Sequence, residues 1–334
     1  MNQSQQNKKN CTVILGASGG FGTDISVELL ARGETLRLVT RSPQKLPNVL
    51  QNNTLVEIKQ DTDVLDIDSL SKTFYGADTV MFGLNRPYPE WEPFMPRALE
   101  ATIKAALMQE TPPRIVFPGN VYALGTPGET PFDENAVNAS STKKGQIRAK
   151  LENMLRQASE KHGLKVLIVR ASDFFGPNVR NGFVDRIFGN IVEGKPADIF
   201  GAGKTPHQFT YVPDLAKAIA ELLQNQEFGV FEIVNAPSIA EISIKDLVDM
   251  AAHKTGQPHL SVRSMPWNMV SLIGIFSPML REVAEMKYLY EMPIRLDTSK
   301  FETLVPGFKP TSLEEAISET LRSYGATVVT NQSL

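Results

Sequence analysis

The segment STKKGQIRAKLENML, residues 141–155, sets two cations four residues apart, Lys144 and Arg148, with Glu152 four further on. At helical spacing all three share one face. A lysine desolvated beside another cation such as Arg148 has a lowered pKa and can act as general acid or base near neutrality. Upstream, FPGNVYALG supplies Asn120, whose amide can donate a hydrogen bond to a substrate oxygen, and Tyr122, a phenol. A plainer reading competes. Lys143, Lys144, Arg148, Lys150 and Glu152 are what an exposed helix face carries, and charge runs are usually solvated. Gly145 speaks against that, because glycine inside a helix costs about 1 kcal/mol and signals close approach by another group, such as a bound ribose.

A second set of residues is built to bind. GASGGFG places glycines at 16, 19 and 22, and another at 20, between the apolar run CTVILG and the amphipathic stretch FGTDISVELLARG. Gly16 permits a tight turn, Gly19 lets the backbone approach a pyrophosphate, and Gly22 allows close packing of helix on strand. The amides from Ser18 through Gly20, Phe21 and Gly22 then open a helix whose dipole favours negative charge. A lone glycine triplet is weak; one that follows a first strand and opens a helix is a fairly strong dinucleotide signal.

These residues need a frame that holds them at strand ends. Strand-like and helix-like runs alternate: TLRLVT, TLVEIK, ADTVMFGL, RIVFPGN and KVLIVR read as strands two to six. Helices are expected around 67–75, over roughly 94–109 and through the 141–155 segment. Parallel strands need crossovers, so this rhythm predicts an α/β fold: a doubly wound, mainly parallel Rossmann sheet of about seven strands. VPDLAKAIAELLQ and VFEIVNA are expected to rejoin it as a helix and a strand. The expected division is a tail over 1–10 and a Rossmann domain over 11–175, completed by 208–236. A smaller, mostly helical C-terminal substrate lobe takes 176–207 and 237–325, with a tail over 326–334. The apolar segment MVSLIGIF (269–276) reads as a buried helix of that lobe, with a docking surface as the alternative.

Bulk properties narrow the class. The 334 residues are 42% hydrophobic and 21% charged, an ordinary globular balance. A net charge of -3 gives no reason to expect nucleic acid as a partner. Cys11 is the single cysteine, so no intramolecular disulfide exists and a cytoplasmic setting fits. No apolar run reaches the roughly 18 residues of a membrane span, and the polar start MNQSQQNKKN lacks a signal-peptide core. The four histidines (162, 207, 253, 259) show no metal-ligand spacing, so no metal is expected.

The GxxGxxG spacing resembles the extended and atypical branches of the short-chain dehydrogenase/reductase superfamily, of NAD-dependent epimerase/dehydratase type. DVLDIDSL, GADTVMFGLN, VRASDFFGPN and HQFTYVPDLAKAI resemble that family's later motifs in order, over nearly the whole chain. The resemblance implies that Asp63 and Val64 border adenine. It puts Gly83, Leu84 and Asn85 beneath the cofactor, and Ala171 and Phe174 (or Phe175) near the nicotinamide. Arg86 and Tyr88 would join Asn85 at the site mouth. An acid usually ends the second strand of an NAD site. Here Thr40, Arg41 and Ser42 stand there instead, so NADP(H) is favoured, NAD(H) being the alternative; Arg37 competes with Arg41 as the phosphate partner.

Family members carry a serine, and a tyrosine four residues before a lysine, as their proton relay. By the resemblance Asn120 falls at the serine position, Lys144 at the tyrosine and Arg148 at the lysine. No tyrosine lies between 123 and 210. Three readings follow. In one the site is rewired around Lys144, as the Lys-xxx-Arg segment of isoflavone-reductase-like and NmrA-like members suggests. It would then reduce or epimerise a carbonyl or secondary alcohol of a small molecule or nucleotide sugar. In another the chain is an inactive NADP-binding sensor or scaffold. In the third, chemistry runs through other groups, such as Asp173, His207 or Tyr211. Related folds often dimerise through the helices after the fourth and fifth strands, which makes a homodimer the assembly to test.

Overall fold

The computed structural model describes residues 10–180, 183–224 and 228–329. Most of the expected N-terminal tail (1–9) and the last residues of the C-terminal one (330–334) lie outside the described residues. The first half alternates as the sequence predicts: β1 (Cys11–Leu15), α1 (Gly20–Ala31), β2 (Thr35–Val39), α2 (Asn48–Gln51), β3 (Val56–Lys59) and α3 (Ile67–Phe74). β4 (Thr79–Phe82), α4 (Trp91–Leu107), β5 (Arg114–Asn120), α5 (Lys143–His162) and β6 (Val166–Ala171) follow. β7 (Asp173–Phe175), α6 (Phe183–Val192), β8 (Ala197–Phe200) and β9 (Pro206–Tyr211) lead out of the sheet, and α7 (Val212–Gln224) and β10 (Phe231–Asn235) lead back.

Seven strands pair in the order β10-β6-β5-β4-β1-β2-β3, every pair parallel. Side-chain alternation explains why both faces need cover. Val13, Leu15, Val80, Phe82, Ile115 and Phe117 bury against α3, α4 and α5. Ile14, Leu38, Met81, Val116, Leu167 and Val169 bury on the opposite face, where α1 and α7 pack together. The strand order reverses between β1 and β4, and in open α/β sheets that is where ligands enter, beyond the carboxyl ends of the strands.

The rest of the chain forms β11 (Ala240–Ser243), α8 (Ile244–Lys254), β12 (Val262–Met265) and α9 (Trp267–Gly274), then α10 (Pro278–Ala284), α11 (Lys287–Glu291), α12 (Ser299–Leu304) and α13 (Leu313–Ser323). This lobe is mostly helical but also holds two small sheets, β11-β9-β7 and β12-β8, around a core of Phe175, Phe188, Phe209, Leu247 and Ile317. Within the segment expected to complete the large sheet, β9 pairs with β7 and β11, and only α7 and β10 return.

MVSLIGIF is not the buried helix expected. Trp267, Val270 and Gly274 form a buried stripe of α9, with Gly274 against the Arg281 backbone. Leu272, Ile275 and Phe276 face outwards, Phe276 at 86% exposure. One helical stripe satisfied the packing, and hydrophobicity alone did not reveal how many sides were covered.

Candidate active site

Gly16 leaves β1 with φ +79°, and a Cβ there would sit 2.6 Å from the Gly83 carbonyl oxygen at the end of β4. A Cβ on Gly83 would in turn meet the Leu15 carbonyl at 2.8 Å. Backbone touches backbone at the switch point, so neither position accepts a side chain. Gly22 is pressed against the Gly16 carbonyl in the same way. Gly19 caps α1 without any side-chain acceptor, which leaves the first amides of the helix for an anion. Gly20 lies close under Asn178: a Cβ there would be 2.8 Å from that carbonyl. Asn178 also donates to Asp24 at 2.6 Å, and burial pushes the Asp24 carboxyl up to about 6, with that hydrogen bond opposing.

At the end of β2, the Ser18 and Thr40 hydroxyls meet at 2.6 Å, and Thr40 Oγ1 accepts from the Ser42 amide at 3.0 Å. Arg37 is engaged elsewhere: it pairs with Glu57 at 3.2 Å and donates to the Thr73 and Tyr75 carbonyls. Arg41 is exposed and forms no ion pair among the described residues. Asp63 is exposed, and its carboxylate accepts from the Leu65 amide at 2.9 Å. Val64 and Leu84 pack at the margin of the α3–α5 core, and Phe21 and Phe174 at the margin of the α1–α7 core. Ala171 is buried at the end of β6, opposite Asn120.

The face of α5 that carries Lys144, Arg148 and Glu152 is not solvated. Lys144 is 1% exposed, and its Nζ forms an ion pair with Glu282 and lies 3.4 Å from Glu285. Burial draws its pKa down, and Glu285 pulls the other way. Glu285 also accepts from the Lys143 and Lys144 amides, both at 3.0 Å, an anion placed on a helix N-terminus. Arg148 donates to the Pro118 carbonyl at 2.5 Å and lies over Phe117 at 4.7 Å and Trp91 at 5.8 Å. Burial lowers its pKa to about 10. Glu152 pairs with Arg170 of β6 at 2.8 Å, both fully buried, and Asn138 bonds to each. Gly145 gives its space to the Ser140 side chain and the Tyr122 carbonyl, so the close approach is made by the protein's own chain and not by a ribose.

Asn120 caps the short turn after β5, accepting from the Tyr122 amide at 3.2 Å. The Tyr122 hydroxyl meets that of Tyr88 at 3.0 Å, and Trp91 stacks on its ring. Trp91 Nε1 donates to Asn85 Oδ1 at 3.0 Å, which draws the expected site mouth inwards. Tyr288 and Tyr290 arrive from α11. Burial raises the pKa of all four tyrosines, and the charge of Asp173 adds to each.

His207 and Tyr211 are placed differently. His207 is buried, its Nε2 has no partner among the described residues, and burial holds its pKa down to about 4 against a hydrogen bond at the Tyr290 backbone. The Tyr211 hydroxyl is bound to Glu319. The described residues hold no cluster fit for a metal ion and no helix long and apolar enough to cross a membrane. Glu282, Glu285, Tyr288 and Tyr290 escaped the sequence reading. Only the pairing of acids and tyrosines in EVAEMKYLYE hinted at them, and nothing there tied Glu282 to Lys144, 138 positions earlier, or Tyr288 to Tyr122, 166 earlier.

A glycine-floored switch point, free amides at the start of α1 and a polar wall above β5 and β6 mark a Rossmann-type α/β fold. Residues 12–236 match the NAD dependent epimerase/dehydratase family, and the chain belongs to it. It is similar to UDP-N-acetyl-alpha-D-glucosaminuronate decarboxylase of Bacillus cytotoxicus, 26% identical over 258 residues, which cover 72% of this chain and 78% of that protein. Among solved structures, UDP-glucuronic acid 4-epimerase from Bacillus cereus in complex with NAD superposes with a TM-score of 0.77 at 17% identity, covering 94% of this chain and 96% of the other. DesIV (dTDP-glucose 4,6-dehydratase) from Streptomyces venezuelae, with NAD and TYD bound, gives 0.79 at 16% identity, covering 94% and 97%. At these identities the structures show a shared fold.

Proposed function

We propose that this chain binds a nicotinamide dinucleotide, NADP(H) in preference to NAD(H). It carries out redox at a carbonyl or secondary alcohol of a small molecule of the nucleotide-sugar kind, without a tyrosine–lysine pair on α5. The observation that carries this reading is the contact between Gly16 and Gly83, a cradle that a single Cβ would fill. The amides of Ser18, Gly20 and Phe21 would hold the pyrophosphate, and Arg41, with no ion pair among the described residues, would meet a 2'-phosphate. When bound, the dinucleotide supplies a hydride acceptor or donor at its nicotinamide. Asn120 and Tyr122 would orient the substrate oxygen above β5, while Trp91 and the four tyrosines exclude water. The names of the relatives, which act on UDP- and dTDP-linked sugars, support the substrate class. A cytoplasmic setting and a homodimer through α4 and α5 rest on the lone buried cysteine and on the resemblance.

One observation favours a second reading, a cofactor-binding sensor or scaffold. The Lys144 ammonium is occupied by Glu282 and Glu285, so the group at the usual tyrosine position is committed to an ion pair. Titration with NADPH and NADH, followed by hydride transfer with aldehydes, ketones and UDP- and dTDP-sugars, separates the two. Turnover of one of these classes supports the enzyme; tight binding with no turnover supports the sensor. Absence of dinucleotide binding would sink both.

A further inference from the structure

β5 and β6 run parallel with Asn120 opposite Ala171. Tyr122 follows Asn120 by two residues in the turn after β5, and Asp173 follows Ala171 by two at the start of β7, so both lie just past the carboxyl ends of neighbouring strands. Asp173 opens β7 opposite Phe209 and is half-buried, and its carboxylate has neither hydrogen bond nor ion pair among the described residues. Other carboxylates near this wall are committed: Glu152 to Arg170, Glu282 and Glu285 to Lys144, and Glu285 also to the start of α5. Four tyrosines from three parts of the chain respond to the charge of Asp173: Tyr88 after β4, Tyr122 after β5, and Tyr288 and Tyr290 on α11. A half-buried carboxylate with no cation paired to it among the described residues, whose charge is felt by four phenols, is costly to keep for packing alone.

We propose that Asp173, two residues past the end of β6 at the carboxyl edge of the sheet, is the group that exchanges a proton with the substrate's reacting oxygen in place of the missing α5 pair. This rests on the proposed redox reaction. In the oxidative direction the alcohol O–H breaks and its proton goes to the Asp173 carboxylate. The carbinol C–H leaves with its electron pair as hydride to the oxidised nicotinamide dinucleotide, and the substrate becomes a carbonyl. In reverse the Asp173 carboxyl returns the proton to the oxygen as hydride arrives at carbon. The Tyr88–Tyr122 hydroxyl pair lies beside this path and can hold the oxygen during transfer.

Desolvation raises the Asp173 carboxyl to about 6, which lets it take both protonation states near neutrality. The other charged groups at this wall act on the tyrosines: Arg148 on Tyr88 and Tyr122, and Glu285 on Tyr288. Lys144 Nζ lies 5.9 Å from the Tyr88 ring.

The test begins without ligand. The side-chain carboxyl carbon of Asp173 is followed by NMR against pH, its signal assigned as the one lost in Asp173→Asn. A midpoint near 6, with ring signals of Tyr88 and Tyr122 moving together with it, supports the proposal; a midpoint at the ordinary aspartate value overturns it. In the second arm Asp173→Asn is assayed with NADPH and a turned-over substrate. We expect kcat to fall at least ~100-fold with NADPH affinity kept within ~3-fold, and Asp173→Glu to recover part of the loss. An undiminished kcat in a variant that binds NADPH overturns it. Failure of the wild-type chain to bind any dinucleotide would remove the proposed reaction, and the ligand-free titration would still judge Asp173.

Discussion

Lys144 and Glu282 form an ion pair across the seam between the sheet domain and the C-terminal lobe, and Glu285 closes the same seam onto the first amides of α5. One lysine therefore fastens two carboxylates. Lys144→Met should destabilise the protein by about 2 kcal/mol. That lies below the 3–5 kcal/mol of a wholly buried pair because both glutamates keep some contact with water. Urea midpoints at constant m-value check this. Adding Glu282→Gln should restore part of the loss, whereas strict additivity would show that the two are not coupled.

Gly145→Ala should cost about 3 kcal/mol, since the new methyl meets the Tyr122 carbonyl, which belongs to a capped turn and cannot swing aside. Gly128→Ala is the control: nothing lies within 4 Å of its Cβ position. Thermal melts showing equal effects at the two sites would contradict the crowding described at Gly145.

Removal of the Arg41 guanidinium should single out one cofactor. For Arg41→Ala we expect a rise of roughly fivefold in the NADPH Kd with little change for NADH, the scale of about 1 kcal/mol for an exposed charge pair. A wild-type protein that binds NADH more tightly than NADPH would refute the assignment of Arg41.

His207 gives a pH signature. Its folded pKa, about 4, lies below the ordinary 6.5, so the unfolded chain binds more protons between those values. Its contribution to stability is present above pH 6.5 and lost as the pH falls towards 4, by up to about 3 kcal/mol. His207→Gln should flatten that part of the stability-versus-pH curve. An unchanged acid slope would mean that the imidazole is protonated in the folded state.

The frame was legible because it rests on local signals. The run Val13–Leu15 meeting Gly16, and the glycines at 16, 19 and 22 opening α1, belong to patterns a few residues long. The large sheet follows from such segments plus the handedness of crossovers. Lys144 and Arg148 were legible as residues of interest, but their surroundings were not. Whether a cationic helix face meets water or carboxylates depends on Glu282 and Glu285, held on a different lobe. Asp173 and Tyr122 illustrate both sides. Their neighbourhood follows from strand register, yet the arrival of Tyr288 and Tyr290 does not, since the packing of α11 leaves no periodic trace. The outward face of α9 was lost for the same reason.

At the switch point, Gly16 and Gly83 form a floor of main chain alone. A floor made of main chain has no side chain to exchange, so a substitution that alters what lies above it must fall in the turns after β5 and β6 or on the C-terminal lobe. A substitution on α11 changes the wall and leaves that floor intact, whereas a side chain at either glycine breaks the floor itself.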